Sequence, residues 1–223
     1  MNKAKIAEIF KSIQGEGKYV GEEQIFIRFS GCNLACAYCD TEHLQGKEYN
    51  TEDLVKEIEK YNPKTVHSIS LTGGEPLLHA DFINDFAQRI DTPIYLETNS
   101  SLPEELQKVI KNVDFIAADI KLSSCTNQEN KFDLHKEFLK IAKDNNTDTF
   151  LKIVYNKNIT EEEIKQCINI AKEFDYEIFL QPQMTETDFA FNIDNALSVF
   201  KNFRAKYNKV RFLPQMHKFW KVK

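Results

Sequence analysis

Arginine and glycine are scarce in this 223-residue chain, and it has no long apolar run. Four arginines stand beside 25 lysines, and these 29 basic residues are outnumbered by 34 acidic ones, for a formal charge of −5. A chain so charged has no electrostatic grip on a polyphosphate backbone, which excludes nucleic acid as its main partner. No apolar stretch approaches the ~20 residues that a membrane-spanning helix needs, so no membrane is expected as a partner. Met1 to Glu8 contain no apolar signal core, and the expected location is the cytoplasm. All seven glycines lie at or before Gly74. Glycine is needed where backbone turns tightly or approaches another group closely, so the unusual backbone is expected in the first third.

The chain does have the means to fold. Its hydrophobic fraction of 42% is that of globular proteins, and its length suits one domain over residues 1–223. From residue 24 onward, short β-branched and aromatic runs alternate with stretches of helical period. The expected strands are Gln24–Ser30, Val66–Thr72, Pro93–Glu97, Asp114–Ile120, Thr149–Tyr155 and Glu177–Gln181. The expected helices are Thr51–Lys60, Ala80–Ile90, Pro103–Lys111, Asp133–Lys143, Thr160–Phe174 and Asn192–Lys206. Thr51, Thr160 and Leu102 precede acidic first turns and suit N-caps. Lys5–Ile13 suits an extra N-terminal strand and Val210–Leu213 a last one.

Six βα units imply an α/β fold with a parallel sheet covered by helices. A full eight-unit barrel takes ~250 residues, so an open, partial (β/α)6 TIM-like barrel is expected, with a flat doubly wound sheet as the competing layout. In either layout, ligands bind at the edge where the strands end. Polar residues collect there: Gly73-Gly74-Glu75-Pro76, Glu97-Thr98-Asn99, Asp119–Lys121, Gln181-Pro182-Gln183 and Gln215.

Three of the five cysteines, Cys32, Cys36 and Cys39, fall within one loop. Thiolates at such short spacings hold iron–sulfur clusters, and three of them leave one iron of a cubane open to another ligand. A structural zinc site with His43 as fourth ligand is the alternative, and a group of packed thiols is another. One unit later, Leu71-Thr72-Gly73-Gly74-Glu75-Pro76 ends a strand, and its glycines suit either a ligand-binding backbone edge or an ordinary turn.

Cys-x3-Cys-x2-Cys with an aromatic residue before its last cysteine, followed by Gly-Gly-Glu-Pro, resembles the radical S-adenosylmethionine (SAM) superfamily. The resemblance implies a 4Fe–4S cluster whose open iron binds SAM, and whose reduction cleaves SAM to a 5′-deoxyadenosyl radical. Ser12-Ile13-Gln14-Gly15-Glu16-Gly17, Phe26-Ile27-Arg28-Phe29-Ser30-Gly31-Cys32 and Cys39-Asp40-Thr41 narrow this further. With Glu97-Thr98-Asn99, Asp119-Ile120-Lys121 and Pro214-Gln215-Met216-His217-Lys218, they resemble the 7-carboxy-7-deazaguanine synthase family of queuosine and 7-deazapurine biosynthesis. That family implies a lyase that converts 6-carboxy-5,6,7,8-tetrahydropterin to 7-carboxy-7-deazaguanine with loss of ammonia. It also implies Mg2+, a homodimer, and an external reductant such as flavodoxin or ferredoxin.

The resemblance assigns residues as well. Ile13, Gln14, Gly15, Glu16, Arg28, Thr72 and His217 would meet the substrate. Amides and carboxylates complement a pterin edge, and the arginine fork suits its carboxylate. Tyr38, Cys39, Asp40, Gly73, Gly74, Lys121, Leu122, Ser123 and Gln181 would meet SAM, and Thr41 would hold Mg2+. His217 can hydrogen-bond the pterin or move a proton near neutral pH. Plainer alternatives stand beside these: a structural ion pair for Arg28, a hairpin for Gln14–Gly17, a loop cap for Thr41 and a surface position for His217.

The chain departs from the family where Ser100 replaces a glycine after Glu-Thr-Asn. Its tail, Phe219-Trp220-Lys221-Val222-Lys223, replaces one with glycine and proline, which removes the basis for expecting substrate contacts there. Cys167 suits a packed thiol on a helix, and His67, His79 and His135 show no ligand spacing. A radical SAM activating enzyme that makes a glycyl radical on a partner protein shares the cysteine and glycine motifs. It has no need of the Ser12–Gly17 stretch or Arg28. A zinc- or cluster-binding module without activity is the non-enzyme alternative.

Overall fold

Successive side chains of a strand point to opposite faces, so each strand of this protein carries two unlike surfaces. The structure is a computed structural model that describes residues 2–39 and 45–223. Asp40, Thr41 and His43 lie outside the described residues.

The antiparallel start is β1 (Lys3–Ile13), β2 (Glu23–Phe29) and β3 (Lys47–Asn50). The repeating part runs α1 (Thr51–Glu59), β4 (Ser68–Gly73), α2 (Ala80–Ala87), β5 (Ile94–Thr98), α3 (Pro103–Val109), β6 (Phe115–Asp119), α4 (Ser123–Thr126), α5 (Phe132–Asp144), β7 (Asp148–Tyr155), α6 (Glu161–Phe174), β8 (Ile178–Pro182), α7 (Ile193–Lys206), β9 (Val210–Phe212) and α8 (Met216–Trp220). Among the described residues, the sheet order is β3-β1-β2-β4-β5-β6-β7-β8-β9, and every pair from β2 to β9 is parallel. β3 and β9 remain as edges, so the barrel is partial and open.

The two faces decide between barrel and flat sheet. Ile25, Ile27, Ile69, Leu71, Leu96, Ile116, Leu151 and Leu180 are fully buried in one large cluster with residues of the helices. Each such side chain contributes about 1.5–3 kcal/mol by leaving water. α1, α2, α3, α5, α6 and α7 pack as successive neighbours over this face. The other face carries a small cluster of Tyr95, Ala117, Phe150 and Phe179, with Tyr19, Phe115 and Leu213 against it. A doubly wound sheet would bear helices on both faces; here one face is the lining of a barrel.

That lining is graded along the strands. Tyr95 pairs with Phe115 near the bottom, and His67 joins them through Tyr19, whose ring lies 4.8 Å from the imidazole. Toward the strand ends the paired residues turn polar: Arg28 with Thr72 and Asp119 with Lys152, with Gln181 beside Val154 beyond them. An aromatic plug therefore floors a polar cleft.

The helix starts follow capping chemistry, with one correction. Thr160 forms a full capping box with Glu163. At α1 the cap is Asn50, whose side chain accepts from the Asp53 amide, while the Thr51 hydroxyl donates to Asp85 at 2.6 Å. β3, α4 and α8 were not expected from the sequence. They are short elements at an edge or a strand end, and too brief to show a period.

Candidate active site

The polar strand ends enclose a cleft of about 460 Å³, lined from both halves of the chain. Its upper wall is the cysteine loop after β2. Cys32, Cys36 and Cys39 all line the cleft, and all are in the thiol form. Burial pushes the Cys32 and Cys36 thiols up, and the Lys121 ammonium pulls both back down.

The glycine motif grips this loop. Gly74 N donates to the Phe29 carbonyl at 3.0 Å, and Glu75 N donates to the Gly31 carbonyl at 2.8 Å. A Cβ on Gly74 would overlap the Gly31 carbonyl oxygen, and Gly73 has a φ of +115°. The two glycines thus let two backbones touch, and both also line the cleft.

Glu75 ties in a third segment. Its fully buried carboxylate accepts from Leu77 N at 3.0 Å, Thr98 Oγ1 at 2.8 Å and Asn99 N at 2.8 Å. Burial pushes this carboxyl up to about 7 against the pull of those three donors.

Ser100 occupies the glycine position in left-handed backbone, with a φ of +50°. Its hydroxyl donates to the Asp119 carbonyl at 3.2 Å and lies 3.0 Å from His135 Nδ1. His135 is fully buried, and burial pushes its imidazole down to about 4. It is neutral at pH 7, with Nδ1 donating to the Ser100 carbonyl at 3.1 Å. Left-handed backbone penalises a side chain by about 1–2 kcal/mol, which the hydroxyl's bonds offset. Ser100→Gly is therefore expected to change unfolding free energy by less than about 1 kcal/mol. Ser100→Ala keeps the strain and loses the bonds, and is expected to cost about 1–3 kcal/mol in urea unfolding.

Charge fills the cleft above the aromatic plug. Lys152 Nζ lies 2.7 Å from Glu16 Oε2 and 3.6 Å from Asp119 Oδ2, and Lys121 Nζ lies 2.7 Å from Asp119 Oδ2 and 3.0 Å from Tyr38 Oη. Gln215 Nε2 donates to Glu16 Oε1 at 2.8 Å, and His217 Nδ1 lies 3.8 Å from the same oxygen. Burial alone would raise the Glu16 carboxyl, but Lys152, His217 and the Gln215 amide hold it at about 2. Burial opposes the charge on both lysines, yet Glu16 and Asp119 keep Lys152 above its ordinary value, and Asp119 with Tyr38 does so for Lys121. Asp119 Oδ1 is buried with no hydrogen-bond partner among the described residues.

Gln14 is wired in as well. Its Nε2 donates to Gln24 at 3.0 Å and to Glu97 Oε1 at 2.8 Å, and its Oε1 accepts from Glu16 N at 3.0 Å. Glu97 also accepts from Thr72 Oγ1 at 3.1 Å. Arg28 lines the cleft with Nε 3.1 Å from Glu8, and its guanidinium lies over the Phe10 ring. The tail reaches the cleft too: Lys223 lines it and pairs with Glu8 at 2.7 Å. Met216 N donates to the Gly15 carbonyl, docking α8 on the Gln14–Glu16 segment.

Ile13, Gln14, Gly15, Glu16, Arg28, Thr72 and His217 thus meet at one cleft with Tyr38, Cys39, Gly73, Gly74, Lys121 and Gln181. Leu122 and Ser123 are not brought there. Leu122 is buried in the core, and the Ser123 hydroxyl donates to Glu163 at the start of α6. Lys152 escaped the sequence reading because a single lysine inside a strand carries no motif; only its alternation with Phe150 and Val154 marks it as inward-facing. Glu97 and Asn99 were visible as a polar strand end without an assigned role.

Residues 26–175 match the radical SAM superfamily. The chain is 31% identical over 241 residues to a 7-carboxy-7-deazaguanine synthase of Methanothermobacter thermautotrophicus, covering 97% of this chain and 96% of that one. It is 34% identical over 244 residues to a synthase of the same name from Geobacter sulfurreducens, with the same coverage of 97% and 96%. The chain belongs to the 7-carboxy-7-deazaguanine synthase family. The crystal structure of QueE from Escherichia coli superposes with a TM-score of 0.68 at 21% identity, covering 96% of this chain and 95% of that one. That likeness concerns the fold, and it agrees with the open barrel.

A member of the 7-carboxy-7-deazaguanine synthase family is a radical SAM enzyme of 7-deazapurine biosynthesis, and its cofactors are SAM and a 4Fe–4S cluster. The reading as a module without activity is thereby excluded. The donor set fits the cluster. Among the described residues, no three His, Cys, Asp or Glu side chains converge on a point where one metal ion can sit. A cubane does not ask for that, because each thiolate takes its own iron. No described helix is long and apolar enough to cross a membrane.

Proposed function

We propose that residues 1–223 act as one radical SAM domain that converts 6-carboxy-5,6,7,8-tetrahydropterin to 7-carboxy-7-deazaguanine and ammonia. One observation carries the reading. The three-thiol loop opens on a cleft that also holds Arg28, Glu97 and the Gln14–Glu16 segment, and its volume suits one cofactor and one small ring system. When bound, the cluster and SAM supply the one-electron chemistry that removes a hydrogen atom from the substrate.

This chain's residues do the rest. The guanidinium of Arg28 binds the pterin carboxylate, sharing its charge with Glu8. The Glu97 carboxylate, held by Gln14 and Thr72, accepts N–H groups from the aminopyrimidine edge. Ile13, Gly15 and Glu16 form the wall beside it, and Glu16 acts there as a buried counter-ion rather than a reader of the ring. His217, with Nδ1 3.8 Å from Glu16 Oε1, hydrogen-bonds the pterin from the wall of the cleft. Tyr38, Cys39, Gly73, Gly74, Lys121 and Gln181 surround SAM, joined by Asp40. By the same family reading, Mg2+ is held at Thr41, the protein is a cytoplasmic homodimer, and flavodoxin or ferredoxin supplies electrons.

The test is an anaerobic assay of reconstituted protein with SAM, Mg2+, a reductant and the carboxypterin. Product is followed by mass and ultraviolet spectrum, and its loss in Cys36→Ala is expected. Release of 5′-deoxyadenosine without product would move the substrate to another class.

A further inference from the structure

We propose that Asn99 is a positioning residue that donates a hydrogen bond to the sulfur of Cys32 and thereby raises the reduction potential of the bound cluster. The inference rests on Cys32 being a cluster ligand. It concerns a residue to which the functional reading gives no role.

The geometry is that of a closed clamp. Asn99 Nδ2 has two N–H groups and two acceptors, Asn33 Oδ1 at 2.8 Å and Cys32 Sγ at 3.9 Å. Its Oδ1 accepts from Ser101 N at 3.1 Å and from Ser101 Oγ at 2.6 Å. That pair sets the orientation of the amide, because a flipped Asn99 would put N–H against N–H. The Ser101 hydroxyl accepts in turn from Asn33 Nδ2 at 2.9 Å. Asn99, Asn33 and Ser101 therefore form a ring of mutual bonds that uses one of the two Asn99 N–H groups, and the other faces the sulfur.

The backbone holds the ring in place. Asn99 N is bound to Glu75, which also anchors the turn after the glycine motif. Ser100, next in the chain, is held by the Asp119 carbonyl and His135. Asn99 and Ser101 are both buried, so water does not compete for the bonds between them, while Asn33 and Cys32 lie at the exposed rim. Leu34 N is a second donor to the same sulfur, at 3.4 Å.

The physical consequence follows from charge. Reduction adds an electron to a cluster already made negative by three thiolates. A fixed N–H dipole aimed at a thiolate favours the more negative state, so removing it moves the potential downward.

The test uses reconstituted holoenzyme. Iron and sulfide are counted per chain, and the midpoint potential is read by a redox titration followed by electron paramagnetic resonance. Asn99→Leu keeps approximate volume and removes the donor; Ser101→Ala keeps the donor and releases its orientation. The expected result is full loading with a more negative midpoint in Asn99→Leu, and a smaller shift of the same sign in Ser101→Ala. Unchanged midpoints in loaded variants would overturn the proposal. Should Asn99→Leu fail to load, Ser101→Ala and Asn99→Ser decide the question by the same shift. Wild-type protein that takes up no iron would overturn the cluster assignment beneath this inference, a failure that metal content alone tells apart.

Discussion

Lys152→Met is expected to lower stability by about 3–5 kcal/mol and to abolish turnover, because it leaves the Glu16 carboxylate buried without its cation. The ammonium sits 2.7 Å from Glu16 and 3.6 Å from Asp119, and both carboxylates depend on it. In the wild type the Glu16 carboxyl is depressed from 4.5 to about 2. The unfolded chain therefore binds more protons between those values. The pair's contribution, on the order of 3 kcal/mol, is present above pH 4.5 and lost as pH falls toward 2. In Lys152→Met the sign reverses: burial raises the carboxyl, and protonation relieves it. The stability gap between variant and wild type should narrow as pH drops from 7 toward 4.5 in urea unfolding followed by circular dichroism. A constant gap would show that Glu16 is not the group left stranded. The double variant Glu16→Gln with Lys152→Met is expected to regain most of the stability and none of the activity, separating the pair's two roles.

Gly74→Ala is expected to lose activity by 10²-fold or more, since displacements of about 1 Å near the chemistry have that effect. The new methyl group would occupy the Gly31 carbonyl oxygen and force the glycine turn away from the cysteine loop. Two backbone hydrogen bonds, Gly74 to Phe29 and Glu75 to Gly31, would break with it. Reconstitution should yield less iron per chain and weaker SAM binding by calorimetry, with helix content retained. Normal loading and binding would mean that the loop gives way without consequence.

The repeat of strands and helices was legible because its signals are local. Thr160 with Glu163 marks a helix start without reference to anything distant. The three cysteines and the paired glycines were legible for the same reason. Pairings across the barrel were not. Glu16 invited a role toward the ligand, and only the fold shows both its oxygens engaged by Lys152 and Gln215. The Asn99–Asn33–Ser101 ring joins two strand ends far apart in the chain, and nothing along either segment announces it. Ser100 was visible as a departure from glycine, yet the buried His135 that supports it looked like an unassigned helical histidine.

The dependence of the cleft on α8 has a consequence in time. Gln215 and Glu16 are 199 residues apart, and Met216 closes on Gly15 beside them. At about 5–20 residues per second, the ribosome makes the second wall about 10–40 s after the first. Through that interval the nascent protein holds its thiol loop over a trough with one side missing, and the second wall is made long after the loop that faces it.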